Sequence, residues 1–188
     1  MKKEIAIPIK NTFPQCVGAP LPHIIADDRK TFLFYHISTG NHPYYREHLG
    51  QITEKNIQAL YVLIEQLNNV KVLDEKSTDY IALVCFDLCR DFKFGGVNDE
   101  ALSGHPLYKK GLEPYQMHEV KNSSWIKEMN KMNSVHPYHS DKLFENNKHY
   151  IFTFHDNTFE CIADNYSVQV FKGSVRDVFK IVFEILNK

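Results

Sequence analysis

Hydrophobic and polar positions alternate most clearly over HYIFTFHDNTFECIAD, residues 149–164. A period of two means a strand, and here two strands surround a pair of turn-forming residues, Asp156-Asn157. Both tolerate the positive φ of a tight hairpin turn, so the pattern predicts a hairpin closing there. In that register Phe154 faces Phe159, Phe152 faces Cys161 and Tyr150 faces Ala163, and these six apolar side chains share one face. The opposite face carries His149, Ile151, Thr153 and His155 against Thr158, Glu160, Ile162 and Asp164. One face reads as core. The other mixes aliphatic cover with histidines and carboxylates.

Elsewhere the period changes. Ile57, Leu60, Ile64 and Leu67 recur at helical spacing behind Thr53, which predicts a helix over about 53–67. Ser123 or Ser124 starts a second, over about 124–133, carrying Trp125, Ile126, Met129 and Met132, with His136-Pro137 as its stop. Ser174-x-x-Asp177 is a capping arrangement before Val175, Val178, Phe179, Val182 and Leu186, so a third helix is expected over about 174–186. Short apolar runs at 31–37 and 80–87 read as strands, the latter buried on both faces. Residues 4–9 form an edge strand limited by Pro8, and 115–120 and 167–171 are further strands. Residues 92–112, with four glycines and Pro106, read as a long irregular segment, of a kind often tied to function. Strands and helices do not alternate regularly. The fold class expected is therefore α+β, a single domain over 1–188 with a largely antiparallel sheet and a C-terminal hairpin.

Composition sharpens this picture only in places. With 188 residues the chain can bury a sizeable core, and 43% apolar against 24% charged residues is an ordinary globular balance. A net charge of −1, without a basic stripe, speaks against nucleic acid as partner. No stretch is apolar for long enough to span a membrane, and MKKEIAIPIK lacks the apolar run of a signal peptide. Four irregularly spaced cysteines suggest reduced thiols and hence a cytoplasmic location.

Ten histidines raise the question of chemistry. His136, His139 and His155 are the candidate metal ligands, and zinc is the ion that imidazole and carboxylate donors would suit. Their spacing lacks the helical H-E-x-x-H arrangement, so the reading calls for no cofactor by default. His155 and Glu160, placed diagonally across the predicted hairpin, are the candidate acid–base pair, because a carboxylate fixes an imidazole's tautomer and raises its basicity. For binding, the candidates are His105, His136, His139 and His155, expected to converge where the 94–112 loop, the 136–139 segment and the hairpin end meet. The alternative for each of these histidines is a helix stop or a structural group bonded to nearby backbone.

NDEALSGHPLYKKGL (98–112), HEVKNSSWI (118–126), NSVHPYH (133–139) and HYIFTFHDNTFECIA (149–163) together resemble a bacterial protein family of unassigned function. The resemblance covers about the middle third of the chain. It implies a bacterial source and carries no reaction, cofactor or catalytic residue. The function expected is a non-catalytic cytoplasmic binding or interaction protein, immunity-type or regulatory, with another protein as partner. The alternative is a small metal-assisted hydrolase built on His136, His139 and His155.

Overall fold

The computed structural model describes residues 2–10, 13, 15, 16, 18, 20–37 and 79–187. The expected helix at 53–67 lies outside the described residues. The described elements begin with β1 (Ile5–Pro8), β2 (His23–Ala26), β3 (Lys30–His36), β4 (Asp79–Asp87) and β5 (Asp91–Gly95). They continue with β6 (Met117–Lys121), helix α1 (Ser124–Asn133), β7 (Lys148–Thr153), β8 (Thr158–Ala163), β9 (Asn165–Gly173) and helix α2 (Val175–Leu186). The strands form two antiparallel sheets, β1-β6-β7-β8-β5 and β2-β3-β4-β9, so the fold is α+β. No helix among the described residues is long and apolar enough to cross a membrane.

A bent ribbon joins the sheets. β4 pairs with β9 from Asp79–Gly173 to Asp87–Asn165. The same two chain segments then pair as β5 and β8, from Asp91–Ile162 to Gly95–Thr158. At the junction three residues, Leu88, Cys89 and Arg90, face two, Ala163 and Asp164. Arg90 N–H donates to the Ile162 carbonyl (2.8 Å) and Asp164 N–H to the Asp87 carbonyl (3.2 Å) on either side of the extra residue. Leu88 sits at φ 50°, which non-glycine residues seldom adopt. One extra residue bends a strand, and here it turns the ribbon from one sheet into the other.

Both inner faces supply the core. Phe86 of β4 inserts into the aromatic face of the β7–β8 hairpin, with its ring 5.6 Å from Phe159, 5.7 Å from Tyr150 and 6.1 Å from Phe152. Tyr35 of β3 meets Phe154 at 5.4 Å. All six side chains expected on the hairpin's core face are buried in this cluster. The pairing itself is displaced. Phe152 faces Phe159 and Tyr150 faces Cys161, while Phe154 N–H donates to the Asn157 carbonyl (2.8 Å), so the turn is His155-Asp156. Neither turn residue has positive φ, which removes the reason for placing the turn on Asp156-Asn157. Moving a turn by one position changes the pairing by two, and a shift of two leaves every side chain on its face.

α2 lays Val175, Val178 and Val182 on the outer face of the four-stranded sheet, against Phe32, Phe34, Ile81 and Leu83. Each such burial contributes roughly 1.5–3 kcal/mol. Its start is fixed by the expected capping box, in which Ser174 Oγ accepts from Asp177 N–H and the Asp177 carboxylate accepts from Ser174 N–H. α1 coincides with the expected 124–133 and ends at Asn133, before His136 is reached. β2 and β5 were not expected from the sequence. β5 is short and stops at Gly95-Gly96, both at positive φ, which made F-K-F read as the start of a loop.

The segment between β5 and β6 is not structureless. It contains two 3-10 turns, Leu102–Gly104 and Tyr108–Lys110, and covers the outer face of the five-stranded sheet. Leu102, Leu107 and Leu112 pack there on Ala6, Val120 and Ile151. Gly111 closes the segment at φ 97°, where a Cβ would stand 2.6 Å from the Ala6 carbonyl oxygen. Only glycine fits so close to β1.

Candidate functional site

The cover traps a polar network against the outer face of the five-stranded sheet. Its centre is Glu160 on β8, with Ile151 of β7 on one side and Lys93 of β5 on the other. Oε2 of Glu160 lies 2.9 Å from His149 Nε2, and Oε1 lies 3.7 Å from His105 Nε2. Burial alone would push the Glu160 carboxyl up. Contacts with His105 and His149, aided by the charge of Lys93, hold it down at about 2 instead.

His149 is bound on every side. A carboxylate only accepts, so Nε2 carries the proton toward Glu160, and Nδ1 accepts from Ser123 Oγ at 2.9 Å. Trp125 of α1 stands edge-on to the imidazole (5.2 Å), and Lys93 Nζ rests over the Trp125 ring at 3.7 Å. His105 is equally committed, because its Nδ1 accepts from Leu107 N–H at 3.1 Å. The 98–112 cover and α1 are thus clamped to β8 through one carboxylate.

His118 on β6 is fully buried beside this network, its Nε2 accepting from Glu113 N–H (3.2 Å). Burial lowers its imidazole to about 4, so it is neutral at physiological pH. Thr153 completes the layer, with Oγ1 donating to the Glu113 carbonyl (2.8 Å) and accepting from Gln116 N–H (3.1 Å).

Of the residues expected at a common site, the structure brings together His105 and Glu160 and leaves the others apart. His155 sits on the hairpin turn, with Nδ1 2.8 Å from Asp156 and Nε2 4.0 Å from Asp99. Asp99 also takes a hydrogen bond from Tyr115, and its N–H donates to the His155 carbonyl (2.9 Å). His136 is exposed and its Nδ1 accepts from Tyr138 N–H (3.1 Å). His139 bonds Asn133 (3.0 Å) and faces Asp141 (3.4 Å). Among the described residues, no three His, Cys, Asp or Glu side chains form a group that could hold a metal ion.

The expected His155–Glu160 pair is replaced by His149–Glu160, and the two-residue shift of the hairpin is the cause. That shift moves Glu160 from the neighbourhood of the turn to a position opposite Ile151, diagonal to His149. Asp164, expected to face His149, bonds Asn147 instead. The alternation already placed His149 and Glu160 on one face, so their signal was present in the sequence. Ser123 and Trp125 came from α1, and nothing local linked that helix to the hairpin.

Ser123, His149 and Glu160 have the connectivity of a hydroxyl activated by an imidazole and a carboxylate. The same residues are tied into the fold around them. Ser123 is only 3% exposed, and its oxygen also caps α1 by accepting from Ile126 N–H (3.3 Å). The next N–H, of Ser124, is bonded to Glu4 Oε1 at 2.6 Å. Glu4 is itself tied to Lys110 of the cover (2.8 Å). A groove of about 230 Å³ opens at Ser123, its lining including Glu119, Lys121, Lys127, Asn147 and Lys148.

A different feature faces outward. Among the described residues β5 ends its sheet, paired with β8 alone, and its Phe92 and Phe94 are 40% and 46% exposed. The lysine that would guard such an edge, Lys93, lies over Trp125 instead. Arg90, at the corner before β5, donates to the Leu143 carbonyl (2.8 Å) and lies over the Phe144 ring (5.2 Å). Leu143 itself is half-exposed.

No family model, curated protein or solved structure matches this chain.

Proposed function

We propose that the chain is a non-catalytic interaction protein of the bacterial cytoplasm, immunity-type or regulatory in role, that binds an extended segment of a partner protein along β5. The observation that carries the reading is the edge itself: no described strand pairs with the second side of β5, which is flanked by exposed Phe92 and Phe94. Strand addition takes affinity from main-chain hydrogen bonds and selectivity from alternate side chains, and β5 offers both. The polar network supports the same reading. Its hydrogen bonds tie α1 and the cover to the sheet next to that edge, while Lys93 is drawn aside by Trp125.

The test is selection of displayed peptides on the purified full chain, followed by hydrogen-exchange mapping of those that bind. The expected result is protection of the amides of residues 91–95, with binding lost by tenfold or more in Phe94→Lys, a change of roughly 1.4 kcal/mol. Peptides that protect other amides, or that bind Phe94→Lys equally well, would overturn the reading.

A further inference from the structure

We propose that Ser123 is a covalent acceptor site, a hydroxyl that takes a short acyl group from an acyl phosphate held in the groove at its side. Side chains from three elements make the site. β6 ends at Lys121, Asn122 holds a left-handed φ of 57°, and Ser123 opens α1, so the hydroxyl is carried on a tight turn from strand to helix. Ser123 Oγ donates to His149 Nδ1 on β7 (2.9 Å), and His149 Nε2–H donates to Glu160 on β8 (2.9 Å). A helix cap uses only the oxygen of a serine. Here the proton is committed as well, to an imidazole whose other nitrogen is fixed by a carboxylate, and that arrangement makes a hydroxyl nucleophilic.

The groove selects what approaches. Ser123 is 3% exposed and stands in the groove wall, and about 230 Å³ is room for a short acyl group and one phosphate. Lys121, Lys127 and Lys148 line it against one carboxylate, Glu119, which Lys121 already pairs. Lys127 Nζ donates to the Asn122 carbonyl (2.9 Å), which keeps its charge at the turn that carries Ser123. A groove of that sign favours an anion, and an acyl phosphate is an activated acyl group whose leaving group brings the negative charge.

In the transfer the Ser123 oxygen attacks the carbonyl carbon while its proton passes to His149 Nδ1. The imidazolium so formed lies beside the Glu160 carboxylate, which stabilises its charge. The bond from the carbonyl carbon to the phosphate oxygen then breaks, and the phosphate leaves with the proton that His149 returns. The products are an ester on Ser123 and inorganic phosphate, with no change of oxidation state. The chain is the acceptor and is used once, so this reactivity stands beside the β5 interface and does not depend on whether that edge binds a partner. An ester oxygen has no proton to donate, so acylation removes the bond to His149 Nδ1 that ties α1 to the sheet.

The experiment incubates the full chain with acetyl phosphate at neutral pH and maps its peptides by mass spectrometry. The expected product carries one acetyl group on Ser123, and neutral hydroxylamine removes it, because hydroxylamine cleaves esters and leaves acetylated lysines intact. The reaction is at least tenfold slower in Glu160→Gln, which keeps an acceptor for Nε2–H without the charge. Its rise with pH also moves to lower pH there, since the lost carboxylate no longer favours the imidazolium, while His105 and Lys93, which also face residue 160, are unchanged. A merely structural role for Glu160 would leave that midpoint in place. No acetyl ester, acetyl groups confined to lysines, an ester on Ser124 in place of Ser123, or an unshifted pH profile in Glu160→Gln would overturn the proposal. The map of the unaltered chain decides even if Glu160→Gln fails to fold.

Discussion

Single buried side chains set two measurable quantities. Phe154 is enclosed by Tyr35 and Phe152, so Phe154→Ala leaves a cavity between the sheets, and urea denaturation should show a loss of about 3–5 kcal/mol. His118 sets the upper part of the acid limb. Its imidazole is held near 4 in the fold, against an ordinary value of 6.5, so between these pH values the unfolded chain binds the extra proton. Stability therefore falls as pH drops from 6.5 to 4, by on the order of 3 kcal/mol. Glu160 acts lower: its carboxyl, near 2 instead of 4.5, contributes stability above 4.5 that is lost as pH falls toward 2. His118→Gln keeps an acceptor for Glu113 N–H but does not titrate. Denaturation over a pH series should therefore show the 6.5–4 slope flattened and the slope below 4.5 retained; an unchanged upper slope would refute the assignment.

At the scale of elements, the two helix caps have the same residue type and different stakes. Ser174 caps α2 at the surface, and its loss in Ser174→Ala should cost about 1 kcal/mol. Ser123 caps α1 and also donates to buried His149, so Ser123→Ala removes a cap and leaves Nδ1 unsatisfied. The combined cost should be roughly 2–4 kcal/mol. Equal losses in the two variants, read from the same denaturation curves, would contradict the clamp. Both caps were readable, because a serine before a helical stripe is a local signal. The second role of Ser123 was not, since its partner lies 26 positions away. The hairpin shows the same boundary from the other side. Its faces followed from alternation, but its exact pairing depended on a turn that adopts no positive φ.

For the whole molecule, the corner and the cover decide the arrangement. Leu88 is 57% exposed and holds a left-handed φ, so Leu88→Gly gives up little burial and relieves the backbone. It should be neutral to stabilising, by up to about 1 kcal/mol, and a clear loss of thermal stability would mean the bend depends on the Leu88 side chain. Gly111→Ala is the opposite case. Its methyl would meet the Ala6 carbonyl at an already left-handed φ, so the cover must shift from β1, and the loss should exceed about 1 kcal/mol.

The sequence by itself determined the elements whose signals are local: the α2 capping box and apolar stripe, the extent of α1, the buried β4 run and the faces of the hairpin. Period and caps act over a few residues, and the fold respects them because reversing a face would expose the core. What only the tertiary structure decided is which distant segments meet. The choice of His149 over His155 as partner of Glu160 came from a two-residue shift that alternation cannot distinguish, since both pairings keep every side chain on its face. The meeting of α1 and the 98–112 cover over that face, the passage of one ribbon through both sheets and the exposure of β5 have no local signal. They follow from how two sheets share one aromatic core, and that is a property of the packed chain.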